Sequence, residues 1–280
     1  MRAAEFFSTT EGQKYLNIFK DKIFVIKYGG AALESEEMMP YFLEDIAEMF
    51  LHGIKIILVH GGGKKLSQKM EEKNIPVVFE NGLRKTTEET VLLAKEVFAE
   101  LNQSICSVLK QFKVPPLSLA DSRLILAKLE NEENPENKVG IVEQIITEKI
   151  NFQYIPVVSS IGHYFTDNKI NYLNINADHL AVDIARALTA RKVIFISDVN
   201  GIYLDPQKPE TKISHITESE IKKLINDNIL TGGMKLKIEM ALEALKGGIN
   251  KVHFIDGRIE HSVMLEIFTD KGIGTEIVHD

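Results

Sequence analysis

The sequence predicts an α/β fold, a mostly parallel sheet covered by helices on both faces. Short, nearly continuous apolar runs such as Ile23-Phe24-Val25-Ile26 and Ile54-Lys55-Ile56-Ile57-Leu58-Val59 alternate with helix-period segments, as expected of strands buried on both sides. Strand, glycine turn and helix occur twice within about fifty residues, the repeat from which parallel sheets are built. No low-complexity tract, internal repeat or flexible linker divides the 280 residues. That length gives ample core for one large domain or two lobes sharing a sheet. Two lobes on one continuous sheet fit better than two independent domains.

The elements follow in order. Residues 5–20 carry Phe6, Phe7, Tyr15, Leu16, Ile18 and Phe19 among polar positions and read as an amphipathic helix. It either packs on its own domain or makes an oligomer contact. The first strand ends in Lys27-Tyr28-Gly29-Gly30, and a helix runs through about Leu51, with Phe42, Ile46, Met49 and Phe50 at helical spacing. The second strand runs into His60-Gly61-Gly62-Gly63 and another helix. Residues 87–113 form a long helix, and the polar segment 130–138 is an exposed loop or hairpin tip. Tyr154 to Ser159 is a buried strand, Asn174 to Ala190 starts a helix after an Asx-rich turn, and Val193-Ile194-Phe195-Ile196 is a strand ending in Ser197-Asp198. Residues 217–229, 234–246 and 258–268 are helical, with Val252-His253-Phe254-Ile255 a late strand.

Composition narrows the function class. With 44% hydrophobic and 26% charged residues the chain is an ordinary soluble globular protein. Net charge is −7 and the basic residues are dispersed, which argues against a nucleic-acid partner. The single cysteine, Cys106, excludes an intramolecular disulfide or a multi-cysteine zinc site, and reads as a small buried hydrophobe. None of the eight histidines has metal-ligand spacing. No apolar run approaches the ~20 residues that span a bilayer. Nor does Met1 to Phe7 pair a charged region with an apolar core. A cytoplasmic enzyme is expected.

Three groups of residues carry chemistry. The glycine turns after the first two strands let backbone N–H groups approach oxyanions, and the following helix adds a favourable dipole. Neither has the Walker A or Rossmann spacing. Lys27, abutting the first turn, suits a point charge for a phosphoryl group. The stretch Gly232-Gly233-Met234-Lys235-Leu236-Lys237 opens another helix with two lysines that point to different sides. Phosphoryl transfer asks for lysines, glycine backbone donors and Mg²⁺. In Asn174-Ile175-Asn176-Ala177-Asp178 the Asx residues cap a helix, or the amides hold a polar substrate while Asp178 orients lysines. In Asn81-Gly82-Leu83-Arg84 the arginine is a surface residue or is set to grip a carboxylate. His60 reads as structural.

Taken jointly and in order, these motifs with Ser197-Asp198-Val199-Asn200-Gly201 and the Asp256–Thr275 tail resemble the amino acid kinase family over about nine-tenths of the chain. Within it the likeness is to the enzymes that act on N-acetyl-L-glutamate. The resemblance implies a three-layer αβα sandwich with a mostly parallel open sheet. It also implies a dimerising acceptor lobe over residues 21–190 and a nucleotide lobe over 191–280. The implied activity is phosphorylation of the side-chain carboxylate of N-acetyl-L-glutamate by ATP with Mg²⁺, in arginine biosynthesis, with no protein-bound metal. Lys27 and Lys237 would neutralise the transferring phosphoryl group and Asp178 would hold both. Gly29, Gly30 and Gly62 would donate N–H groups; Gly62, Gly63, Arg84, Asn174 and Asn176 would bind the acceptor. Ser197, Asp198, Gly201, Ile229, Leu230, Thr231 and Met234 would line the ATP site. Members with an N-terminal helix like residues 1–20 and a tail like Glu266…Gly272-Ile273-Gly274 are typically ring-shaped hexamers, trimers of dimers, inhibited by L-arginine; Tyr15, His253, Glu266 and Gly272 would form that effector site.

The chain departs from the family pattern at Lys64 and Lys65, at Ser118-Leu119-Ala120-Asp121, and at Lys235-Leu236-Lys237, where Lys235 competes for the catalytic role although spacing favours Lys237. The alternatives are a related kinase for another carboxylate, or a weakly active arginine-sensing subunit. The joint presence of Lys27, Asp178 and Lys237 argues against the latter.

Overall fold

The computed structural model describes residues 2–29, 33, 35, 37–80, 83–198, 201–205, 207–227, 229, 230 and 232–280. In chain order its first half comprises α1 (Ala3–Phe6), α2 (Thr10–Phe19), β1 (Ile23–Tyr28), α3 (Met38–Leu51), β2 (Lys55–His60), α4 (Gly63–Glu72), β3 (Phe79–Glu80), β4 (Leu83–Arg84) and α5 (Glu88–Gln111). Then come β5 (Pro116–Ser118), β6 (Ile125–Leu129), β7 (Val139–Ile145), β8 (Ile155–Ser159), β9 (Ile161–Thr166), β10 (Lys169–Ile175) and α6 (Ala177–Ala187). The remainder is β11 (Lys192–Ser197), β12 (Ile202–Tyr203), β13 (Lys212–Ile213), β14 (His215–Thr217), α7 (Glu218–Asn226), α8 (Gly232–Lys246), β15 (Lys251–Asp256), α9 (Ser262–Ile267) and β16 (Thr275–Val278).

The main sheet has the order β14-β16-β15-β11-β1-β2-β8-β5. From β5 to β15 the strands run parallel; β16 pairs antiparallel with β15, and β14 lies beyond it. Alternate side chains point to opposite faces of a strand, which divides the core in two. Phe24, Ile26 and Tyr28 of β1 pack with α3 and α5, whereas Val25, Ile57 and Val59 pack with α6 and α8. Burial on both faces makes the strand sequences continuously apolar. The expected three-layer αβα sandwich is therefore present, and Lys27 shares the α6 face with Val25.

Several boundaries differ from expectation. The N-terminal helix divides at residues 7–9, because the Thr9 hydroxyl accepts from Gly12 N–H at 2.9 Å and starts a new helix there. The segment packs on its own domain: Phe6, Phe7 and Phe19 are buried, and Phe7 stacks on His52 at 4.0 Å and meets Phe268 edge-on at 4.8 Å. Asn174 and Ile175 end β10 rather than begin a helix; Asn176 is the cap, its side chain accepting from the N–H groups of Asp178 and His179. The helix expected over 258–268 is confined to α9, because Arg258 turns back onto the Asp256 carboxylate and His261 is left-handed at φ 53°. The helix expected over 217–229 ends at Asn226, and its start is a Thr217–Glu220 capping box.

One unit is absent from the sequence expectations. β10, β7, β6 and β9 close into a small barrel beside the sheet, and the polar 130–138 segment is the tip of its β6–β7 hairpin. β7 alternates poorly between apolar and polar residues, so its strand character depends on its partners.

Candidate active site

The parallel register brings the chemistry to one edge. Tyr28, His60 and Ile196 are aligned across β1, β2 and β11, so Gly29, Gly61–Gly63 and Ser197–Asp198 all follow at the carboxyl end of the sheet, where ligands gather in open α/β folds. A cavity of about 400 Å³ opens there, and its walls include Lys27, Gly29, Gly62, Gly63, Arg84, Asn174, Asn176 and Asp178. Residues far apart in the chain thus meet, whereas Lys237, Ser197, Asp198, Gly201 and Met234 are not in its wall. Gly30, Asn81, Gly82 and Thr231 lie outside the described residues.

Lys27 Nζ sits 2.8 Å from Asp178 Oδ1. Burial works to raise the Asp178 carboxyl, but Lys27 and then Lys237 outweigh it and hold the group below its ordinary value. Asp178 is therefore ionised between two cations. Burial depresses the Lys237 ammonium, opposed by Asp178. Lys235 is exposed and reaches Glu239 on its own helix at 3.8 Å. The choice between the two lysines falls on Lys237.

Arg84 is only 7% exposed. Its Nη2 donates to Gly63 O at 2.7 Å and Ser67 Oγ at 2.8 Å, and its guanidinium lies 4.7 Å from the Phe79 ring centroid. Among the described residues no carboxylate pairs with it, and burial lowers its pKa. A buried cation without a counter-charge is costly unless an anion arrives. Asn174 stands in the same cavity wall, its Nδ2 donating to Thr86 Oγ1 at 3.3 Å.

The His60-Gly61-Gly62-Gly63 turn leads directly into α4. A β-carbon on Gly62 would come within 2.8 Å of Phe98 Cδ1 on α5, so only glycine allows this close crossing. His60 is structural: burial pushes its pKa down to about 4, and its ring nitrogens meet Gly61 O at 2.9 Å and Asn102 Nδ2 at 3.1 Å. Lys64 lines the cavity, whereas Lys65 reaches away to Glu100 at 3.5 Å. The departure at Ser118–Asp121 lies on the sheet edge, where Ser118 Oγ donates to Asn102 Oδ1 at 2.7 Å and Asp121 meets Lys95 at 3.1 Å.

Farther along the same edge, buried Ser197 ends β11 and its carbonyl accepts from Gly257 N–H at 2.8 Å. Asp198 is exposed and contributes to the field at Lys237. Gly201 is held beside Thr275, whose Oγ1 accepts from Ile202 N–H at 2.8 Å. Leu230 is buried, Ile229 is exposed, and Met234 packs partly buried in the first turn of α8.

Sequence reasoning missed Ser67, Phe79 and Ser160, all in the cavity wall. Ser67 stands four residues after Gly63, one helical turn on; that spacing was the available signal. Ser160 and Phe79 carry none.

A second cavity, of about 380 Å³, gathers Tyr15, His253, Glu266 and Gly272. Glu266 Oε1 meets His253 Nδ1 at 2.8 Å, and its Oε2 accepts the Ile273 and Gly274 N–H groups at 2.8 and 2.7 Å. Gly272 has φ +59°, and a β-carbon there would crowd Glu266 Oε2 at 2.9 Å. Sequence reading overlooked Lys192, which is buried in the same wall 2.8 Å from His253 Nε2. Burial pulls its ammonium down to about 8. For Glu276, burial acts to raise the carboxyl, but His253, Lys251 and Lys192 bring it down to about 2.

Residues 22–256 match the model of the amino acid kinase family. The chain is 42% identical to an acetylglutamate kinase of Methanocaldococcus jannaschii, with 96% of this chain and 95% of that protein aligned. It is 35% identical to an acetylglutamate kinase of Akkermansia muciniphila, covering 95% and 93% respectively. In fold it is similar to an N-acetylglutamate synthase of Neisseria gonorrhoeae solved with coenzyme A and N-acetyl-glutamate, with a TM-score of 0.85 and 21% identity. That match takes in 99% of this chain, which spans 63% of the synthase's length. The match over most of the chain, with Lys27, Gly62, Arg84, Asn174 and Asp178 of its motifs in one cavity wall, leads to one conclusion: this chain belongs to the amino acid kinase family.

Proposed function

We propose that this protein phosphorylates the side-chain carboxylate of N-acetyl-L-glutamate with ATP, forming N-acetyl-L-glutamyl 5-phosphate in arginine biosynthesis. The observation that carries the reading is Arg84, a buried guanidinium with no carboxylate partner among the described residues, facing the cavity that also holds the Lys27–Asp178 pair. A substrate with two carboxylates fits: one meets Arg84 and the other reacts near Lys27. The names of the relatives, aligned over nearly their full length, support the same acceptor.

The substrate carboxylate oxygen attacks the γ-phosphorus in line; the new O–P bond forms as the bond to the ADP oxygen breaks. No protein nucleophile is needed. Charge on the transferring group is met by Lys27 from the acceptor side and Lys237 from the nucleotide side. Asp178 keeps the two ammonium groups apart and aimed. Gly29, Gly30 and Gly62 supply backbone N–H groups, and Asn174 with Gly63 completes the acceptor pocket. Asn176 shapes that wall as the helix cap. Ser197, Asp198, Gly201, Ile229, Leu230, Thr231 and Met234 are assigned to ATP. Mg²⁺ is assigned to the nucleotide phosphates, where it would shield their charge.

L-arginine is assigned to the second cavity, supported by the meeting of Tyr15 with His253, Glu266 and Gly272. Residues 1–20, besides packing on their own domain through Phe6, Phe7 and Phe19, are assigned to a hexamer built as a trimer of dimers, 21–190 to the acceptor lobe and 191–280 to the nucleotide lobe. Among the described residues no helix is long and apolar enough to cross a membrane; the proposed location is the cytoplasm.

A coupled ADP-release assay with N-acetyl-L-glutamate and with other acidic amino acids tests the reading. Absence of ATP turnover with every acceptor refutes the kinase. Preference for another acid refutes the acceptor.

A further inference from the structure

The polar 130–138 segment and the residues just after Arg84 take no part in the account above, yet they meet behind the acceptor pocket. Thr86 is 0% exposed. Its hydroxyl donates to Arg84 O at 2.8 Å and accepts from Asn174 Nδ2 at 3.3 Å. Its own N–H donates to Asn137 Oδ1 at 2.9 Å, and its carbonyl accepts from Lys138 N–H at 2.6 Å. Lys138 O in turn accepts from Asn174 N–H at 2.9 Å. One buried residue therefore ties together three segments that are distant in sequence, and two of them carry acceptor-binding side chains.

We infer that Thr86 is a positioning residue for the acceptor, holding Arg84 and Asn174 in fixed relation through its hydroxyl while Asn137 and Lys138 clamp its backbone. This rests on the acceptor assignment made above. The hydroxyl has one proton, and Arg84 O takes it, so the oxygen can only accept from Asn174. The side-chain amide is thereby held in one rotamer. A misplacement of about 1 Å is enough to weaken a bound-state geometry severely. The polar hairpin tip then has a physical role, because an apolar tip would leave the Thr86 N–H without its side-chain acceptor.

The test is steady-state kinetics on the full chain, comparing Thr86→Val, Thr86→Ser and Asn137→Ala with the unaltered protein. Thr86→Val keeps the shape and removes the hydroxyl; it should raise KM for N-acetyl-L-glutamate roughly tenfold, with KM for ATP within about twofold. Thr86→Ser should restore the acceptor KM to within about threefold of the original, and Asn137→Ala should raise it roughly threefold. A merely structural Thr86 would lower the melting temperature and move both KM values together, which overturns the inference. So does an unchanged acceptor KM in Thr86→Val. Should that variant not fold, Asn137→Ala decides in the same way. Arg84→Ala serves as the control. If it raises the acceptor KM and Thr86→Val does not, only the positioning role fails. If the unaltered protein does not turn over N-acetyl-L-glutamate, the acceptor assignment and this inference fall together.

Discussion

Replacing Arg84 with methionine separates a residue kept for its ligand from one kept for the fold. Arg84 is 7% exposed, and its guanidinium is bonded to Gly63 O, Ser67 Oγ and Met70 Sδ and has no carboxylate partner among the described residues. Removing one member of a buried, hydrogen-bonded charge pair costs about 2–5 kcal/mol in binding. At about 1.4 kcal/mol per tenfold, acceptor KM should rise from roughly thirtyfold to several thousandfold. Stability should respond differently. The lost hydrogen bonds are offset by no longer burying an uncompensated cation, an exchange that is often neutral or stabilising. At about 2–4 °C per kcal/mol for a chain of this size, the ligand-free melting temperature should stay within about 4 °C. Saturating N-acetyl-L-glutamate should raise the melting temperature of the unaltered protein by mass action and leave that of the variant unmoved. The assays are coupled ADP release at varied acceptor and varied ATP, with thermal melts beside them. An unchanged acceptor KM, or an ATP KM that rises in parallel, refutes the role of Arg84. A melting temperature lower by about 10 °C or more, roughly 3 kcal/mol, would show that the cation serves the fold instead.

Lys27→Ala and Lys237→Ala should each lower kcat by about 10²–10³ with acceptor binding largely retained, as for lost transition-state donors; single-turnover rates beside acceptor calorimetry check this, and intact turnover in Lys27→Ala would remove the first glycine turn from the mechanism. Glu276 provides an acid-stability prediction. Its carboxyl titrates near 2 in the fold against an ordinary 4.5, so the unfolded chain binds more protons between those values and stability falls as pH drops through that window. Glu276→Gln should flatten the pH dependence of urea midpoints between about pH 4.5 and 2; an unchanged slope refutes the assignment. Finally, Glu266→Ala should abolish the melting-temperature rise caused by L-arginine while leaving the rise caused by N-acetyl-L-glutamate, and an arginine response that survives rules out the second cavity as its site.

The fold's legibility differed from element to element for local reasons. β1, β2, β8, β11 and β15 are buried on both faces, so their apolar runs stand out without any knowledge of partners. The barrel strands β6 and β7 mix charged and apolar residues, and they become strands through pairing with β9 and β10. Helix starts escape periodicity where a side chain bonds back to the nearby chain. Thr9, Asn176 and the Arg258–Asp256 clasp each set a boundary that periodicity does not contain.

Much of the site was legible because glycine turns after strands, and lysines beside them, are adjacent in the chain; register alone carries them to one edge of a parallel sheet. Residue order is enough to place two oxyanion-friendly turns, Lys27 and an Asx-capped helix in one α/β chain. Spacing in the chain favours Lys237 over Lys235, and folding adds the physical difference: Lys237 is desolvated beside Asp178 while Lys235 stays exposed with Glu239. Only the tertiary structure decided that Arg84 is an interior cation rather than a surface one, since burial depends on Phe79, Ser67 and the Gly63 carbonyl around it. It also brought Tyr15 and Glu266 to one cavity that Lys192 lines as well. Charge and hydrogen-bonding capacity are written in residue types; desolvation and counter-charge are properties of neighbours, and neighbours distant in the chain exist only once it has folded.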